Sequence, residues 1–214
     1  MKHRLRRWLQ PRLHRLAAVQ REVMEIRAGD PLAERFAAFG DGSVIEHPAE
    51  HLGNVGSVAL GARVVVRPRV VFEALAPPGT VVITLGDDVY CGYGARFVAV
   101  NGIEVGSGCT VGHGATLADT VHDYKAAPTE HFHATELKLG RVLRLGDGAM
   151  VGNGCVVAGG ITIGEGAIIA PNTFVNSDVP ARCLVGGHPA RVQRRQRDDG
   201  TWEAADDGPS MADQ

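Results

Sequence analysis

A chain of 214 residues, 44% of them hydrophobic, is long enough to bury one core, and a formal charge of -2 excludes the strong basic excess of a nucleic-acid binder. The cysteines Cys91, Cys109, Cys155 and Cys183 are far apart and form no C-x-x-C pair, which excludes a zinc knuckle or disulfide framework and predicts a reducing, cytoplasmic setting. Against this background stand 28 glycines and only 5% aromatic residues, a balance that predicts many tight corners and few bulky core side chains.

Residues 1–29 read as an α-helix, with Leu13, Leu16, Val19, Val23 and Ile26 at helical spacing, Pro11 suited to a first turn and Gly29-Asp30-Pro31 as a stop. The segment carries Lys2, Arg4, Arg6, Arg7, Arg12, Arg15, Arg21 and Arg27 against Glu22 and Glu25. Its stripe is suited to packing on a neighbouring domain, and its basic face also suits peripheral contact with an anionic membrane. It has no continuous apolar run of signal-peptide or membrane-spanning length.

From Phe39 and Ile45 onward a period of six sets in, first loosely at Leu60, Val66 and Phe72, then at Leu85, Cys91 and Phe97 and at Val105, Val111 and Leu117. It is strictest at Leu145, Val151, Val157, Ile163, Ile169 and Val175, with Gly146, Gly152, Ala158, Gly164 and Ala170 as followers. Small or aliphatic residues recur in phase at Ala149, Cys155, Ile161, Ala167 and Thr173. Six matches neither the 3.6-residue period of a helix nor the 8–12-residue spacing of a meander. It fits short strands joined by sharp corners, three to a triangular coil, with the aliphatic residue inward and each coil pairing in parallel with the next at about 4.8 Å. Two segments break the phase: a loop around Pro77-Pro78-Gly79, and an excursion over residues 118–143, a length at which loops usually carry function. Residues 196–214, with Asp198, Asp199, Asp206 and Asp207, read as a disordered acidic tail. The domain division is therefore 1–38 helical segment, 39–195 repeat domain and 196–214 tail.

The repeat over residues 39–180 resembles that of the hexapeptide-repeat acyltransferases. The resemblance implies an all-β, left-handed parallel β-helix that carries an active-site loop, assembles as a homotrimer and uses acetyl-CoA as acyl donor without a metal. Within the excursion, His122-Asp123-Tyr124, Pro128 and the return into Leu145-Gly146-Asp147-Gly148 look like the catalytic loop of the sugar O-acetyltransferases, the maltose and galactoside acetyltransferases among them. The resemblance makes His122 the general base, a role suited to imidazole near neutral pH. It makes the backbone N–H of Asn153, just after Gly152, the donor that polarises the thioester carbonyl, with Ala170 beside the pantetheine arm. The closing Val185-Gly186-Gly187-His188-Pro189-Ala190-Arg191 resembles the family's C-terminal signature, which places Arg191 near the CoA nucleotide, with Arg194 and Arg195 extending the cationic end.

The chain departs from that pattern in having Met150 where a Trp is frequent, Pro171 without an N–H for the pantetheine arm, and Ser177 in place of Lys. The expected activity is acetyl transfer to a hydroxyl of a sugar or of a polysaccharide or glycolipid precursor, with each site built between two subunits. Three other readings share the fold. An antibiotic or xenobiotic acetyltransferase would use the same His. A γ-class carbonic anhydrase is suggested by Gly112-His113, but the second His expected five residues later is Ala118. A β-helix binding module would have no catalysis at all. His113, at a repeat corner, and His131 and His133, inside the excursion, receive no role.

Overall fold

Every sixth residue of the repeat turns inward, and that single regularity builds the molecule. The computed structural model describes residues 19, 24–77, 79–120 and 140–205. They form a parallel β-solenoid of about six turns with a three-faced cross-section. The first face stacks Val44–Ile45, Val65–Val66, Tyr90–Cys91, Thr110–Val111, Met150–Val151, Ile168–Ile169 and Cys183–Gly187. The second stacks Ala38–Phe39, Val58–Leu60, Ile83–Leu85, Ile103–Val105, Leu143–Leu145 and Thr162–Ile163. The third stacks His51–Gly53, Val71–Ala74, Arg96–Ala99, Thr116–Ala118, Val156–Ala158 and Phe174–Val175.

The predicted inward residues are the core. Leu145, Val151, Val157, Ile163, Ile169 and Val175 are all buried, and each pairs in register with its counterpart one coil away, as in Val111 with Val151 and Val151 with Ile169. Complete burial of such a side chain stabilises the fold by about 1.5–3 kcal/mol. Phe72 and Phe97, neighbours on the third face with ring centroids 5.2 Å apart, place two of the chain's few aromatics in the core. Small residues such as Ala149, Cys155 and Ala167 line the inside of the corners, where the walls converge.

Many corners turn through a residue in the left-handed region. Gly94, Gly114, Gly154 and Asn172 hold φ of 69°, 65°, 67° and 56° between the first and third faces. Insertions accumulate at a different corner, between the third and second faces. There the chain carries the loop between Ala74 and Ile83 and the excursion between Ala118 and Leu143.

Two expectations change. The N-terminal helix falls mostly on residues outside those described, but its expected end is extended: Ile26–Arg27 pairs antiparallel with Val44–Ile45 and gives the first face an edge strand. The pairing gives Ile26, read as part of a helical stripe, a buried place at the bottom of the solenoid. Nor does the tail begin at 196. Ala190–Gln196 folds back antiparallel on Cys183–Gly187, and Trp202–Ala204 pairs with Arg194–Gln196. Two of its acidic residues have local partners in exposed ion pairs, Asp198 with Arg182 and Glu203 with Arg197. No helix among the described residues is long and apolar enough to cross a membrane.

Candidate functional site

The corner between the first and third faces brings four equivalent residues into one row: Tyr93, His113, Asn153 and Pro171. The Tyr93 N–H donates to His113 Nδ1 at 2.8 Å, and the His113 N–H donates to Asn153 Oδ1 at 2.8 Å. The Asn153 N–H has Pro171 next in the row, whose ring carries no acceptor. It makes no hydrogen bond among the described residues, and Asn153 is exposed. This is a backbone donor held by a rigid corner and open to solvent, the geometry needed to meet charge developing on an oxygen. Gly152 makes the approach possible. A Cβ there would lie 2.7 Å from both the Ile169 carbonyl oxygen and the Pro171 nitrogen, so the next coil packs directly onto its backbone.

Ala170 is placed differently from a free pantetheine donor. Its N–H donates to the Val185 carbonyl at 2.8 Å, and its carbonyl accepts Cys155 Sγ–H at 3.0 Å. The Ala170 N–H is therefore already occupied, and the residue is half-exposed. Arg191 is exposed and Arg194 half-buried, and neither makes an ion pair among the described residues. Arg191 helps to line a pocket of about 200 Å³ with Ser177, Asp178, Pro180 and Ala190. The Arg191 guanidinium donates to the Ala190 carbonyl at 2.8 Å and has no carboxylate partner among the described residues, so its charge beside the pocket matches the needs of a phosphate-bearing ligand. Met150, in place of the family's Trp, points outward from the first face and is 44% exposed.

His122, Asp123, His131 and His133 lie outside the described residues, but both ends of the excursion that contains them are described. Asp119, buried to 2% exposure, accepts hydrogen bonds from the N–H groups of Val100, Asn101 and Gly102, the last a short contact. Asn101 Oδ1 accepts the Gly140 N–H at 2.9 Å. One turn at 100–102 thus clamps the outgoing and returning strands of the excursion. Sequence reasoning did not single out Asp119 or Asn101; the available signal was a carboxylate at the first position where the repeat stops. The clamp also sits at the corner between the third and second faces, whereas Asn153 sits between the first and third.

Thiol chemistry has no footing. All four cysteines are free and buried, and desolvation pushes the thiols of Cys91, Cys109 and Cys155 up from their ordinary values. His113, whose surroundings suggested a zinc ligand, uses Nδ1 as an acceptor for Tyr93.

Residues 144–177 match the family model described as bacterial transferase hexapeptide (six repeats). A search of curated proteins by sequence finds no match. Among solved structures, AntD, an N-acyltransferase from Bacillus cereus in complex with dTDP and 3-hydroxybutyryl-CoA, superposes with a TM-score of 0.67 at 16% identity, over 81% of this chain and 93% of its own. An AntD variant in complex with dTDP-4-amino-4,6-dideoxyglucose and coenzyme A gives 0.65 at 18% identity, over 76% of this chain and 86% of its own. The hexapeptide-repeat acetyltransferase VCA0836 from Vibrio cholerae, in complex with acetyl coenzyme A, gives 0.52 at 25% identity, over 78% of this chain and 74% of its own. With a six-residue period in the sequence, a three-faced parallel solenoid in the structure and a family match over the strictest repeats, the chain carries the bacterial transferase hexapeptide repeat and shares its fold with hexapeptide-repeat acyltransferases.

Proposed function

We propose that the protein is an acetyl-CoA-dependent acetyltransferase acting on a hydroxyl of a sugar or of a polysaccharide or glycolipid precursor. The observation that carries this reading is the uncapped Asn153 N–H, on a corner where the equivalent N–H groups of Tyr93 and His113 are both occupied. In the reaction, His122 removes the acceptor hydroxyl proton as the oxygen attacks the thioester carbon. The carbonyl oxygen becomes an oxyanion facing the Asn153 N–H. Collapse expels the CoA thiolate, which takes the proton from His122, leaving an acetyl ester and free thiol. Arg191 and Arg194 supply cationic contacts for the CoA phosphates.

The site is composite in this reading. His122 comes from the excursion at one corner of a subunit and Asn153 from a different corner of its neighbour, which a threefold arrangement of prisms brings together. The outward row of the first face supports such packing: Val44, Val65, Tyr90, Thr110, Met150, Ile168 and Leu184 lie in register as a largely apolar stripe. The second face instead presents Thr84, Glu104, Arg144 and Thr162, with Arg144 paired to Glu104 at 2.8 Å.

A second reading, an amine acceptor on a nucleotide-linked amino sugar, is favoured by the likeness to AntD, an N-acyltransferase crystallised with such a ligand. The test is thiol release from acetyl-CoA across neutral sugars, oligosaccharides and nucleotide-linked amino sugars, with His122→Ala alongside. The variant is expected to lose about 10²- to 10⁴-fold in turnover while remaining folded. Wild-type rates in it would remove His122 from the mechanism, and an amino sugar as sole acceptor would select the second reading.

A further inference from the structure

The backbone N–H groups along the corners follow a rule that leaves the candidate site uncapped. Where the equivalent residue one coil later has a short polar side chain, that side chain caps the N–H. Between the second and first faces, the Ala62 N–H donates to Asp87 Oδ1 at 2.8 Å, that of Asp87 to Ser107 Oγ at 3.2 Å and that of Ser107 to Asp147 Oδ1 at 2.8 Å. Between the first and third faces, His113 caps Tyr93 and Asn153 caps His113 in the same way. The rows stop where the next residue lacks such a side chain: Asp147 precedes Glu165, and Asn153 precedes Pro171. Position 171 is otherwise an ordinary corner, because Asn172 after it holds the left-handed φ that Gly94, Gly114 and Gly154 hold in the coils below. Proline suits the position just before a left-handed residue and carries no acceptor.

We infer that Pro171 is a positioning residue for acyl transfer: by ending the row of caps it keeps the Asn153 N–H free for the oxygen of the thioester carbonyl. The inference rests on the role given to Asn153 above. A capped N–H already has its partner and would have to break that bond before stabilising the transition state. A bare N–H on a rigid turn is oriented in advance. The side chain of Asn153 contributes separately, since its use on the His113 N–H anchors the turn from below.

The experiment compares the wild type with Pro171→Asn, which restores the cap, and Pro171→Ala, which supplies no side-chain acceptor. Glu165→Asp installs a cap on the other corner, away from the site, as a control. Amide hydrogen exchange at Asn153, followed by NMR on the protein without ligands, is expected to slow by about tenfold or more in Pro171→Asn relative to wild type and Pro171→Ala. Thiol release in Pro171→Asn is expected to fall by about 10²- to 10³-fold, with a melting temperature equal to or above wild type. Pro171→Ala is expected to exceed Pro171→Asn in turnover by at least about tenfold, and Glu165→Asp to turn over as wild type. Equal Asn153 exchange in wild type and Pro171→Asn would overturn the inference, as would equal loss of turnover in Pro171→Asn and Pro171→Ala. A protected amide with wild-type turnover would leave the corner as described and remove Asn153 from the mechanism.

Discussion

Charge pairs on the outer edges of the prism act as local ties. Arg63 donates two hydrogen bonds of 2.6 Å to Asp88, and this hydrogen bonding, with the attraction of the guanidinium, holds the Asp88 carboxyl below its ordinary value. A carboxyl whose folded pKa lies below its unfolded pKa adds stability above the unfolded value, about 3.9, and loses it as pH falls through the folded one. The wild type should therefore lose melting temperature more steeply than Asp88→Asn between about pH 4 and pH 2, and parallel acid limbs in thermal melts would refute the tie. Both groups are exposed, so the difference is expected to be small. At this scale the sequence was legible wherever a residue's role is set by its place in the period, as for the buried Val151 and Val157. It was illegible for caps, because an acceptor and its N–H lie a coil apart: 20 residues for Tyr93 and His113, and 40 for His113 and Asn153 with the excursion between them.

Strands of two or three residues are too short to persist alone, and their stability comes from stacking in register. The excursion interrupts that stacking for more than twenty residues, yet Thr116–Ala118 still pairs with Val156–Ala158 and Ile103–Val105 with Leu143–Leu145. The clamp at 100–102 explains how the register survives. Removing the Asp119 carboxylate would strand three N–H groups in a partly buried turn, whereas Asn at the same place retains one acceptor oxygen. Asp119→Ala is expected to lose about 3–5 kcal/mol in denaturant unfolding and Asp119→Asn about 1–2 kcal/mol, and equal costs would show that the carboxylate is not the clamp. The period located these strands almost to the residue because every inward position repeats one steric demand. It misread both ends, since Ile26–Arg27 and Trp202–Ala204 are strands only because an existing face offers them a hydrogen-bonding edge, which no local pattern records.

For the whole molecule, the assembly can be tested without a structure of the oligomer. If each site takes His122 from one subunit and Asn153 from the next, His122→Ala and Pro171→Asn subunits damage different halves of a site. Refolding the two together in equal amounts should restore about a quarter of wild-type thiol release, through sites formed by the two undamaged halves. Activity no greater than that of the separate variants would place both groups in one subunit. A threefold assembly is an expectation of family resemblance alone, because the period describes how a chain packs on itself and is silent about its neighbours. The antiparallel strands at the two ends of the first face have a further consequence. A parallel stack of identical coils presents, at top and bottom, unsatisfied backbone groups ready to template another copy, as in an amyloid fibre. Here the reversed strand at the bottom and the reversed hairpin at the top oppose continuation of the parallel register on that wall. The solenoid thereby remains a finite object even though its repeat has no intrinsic length.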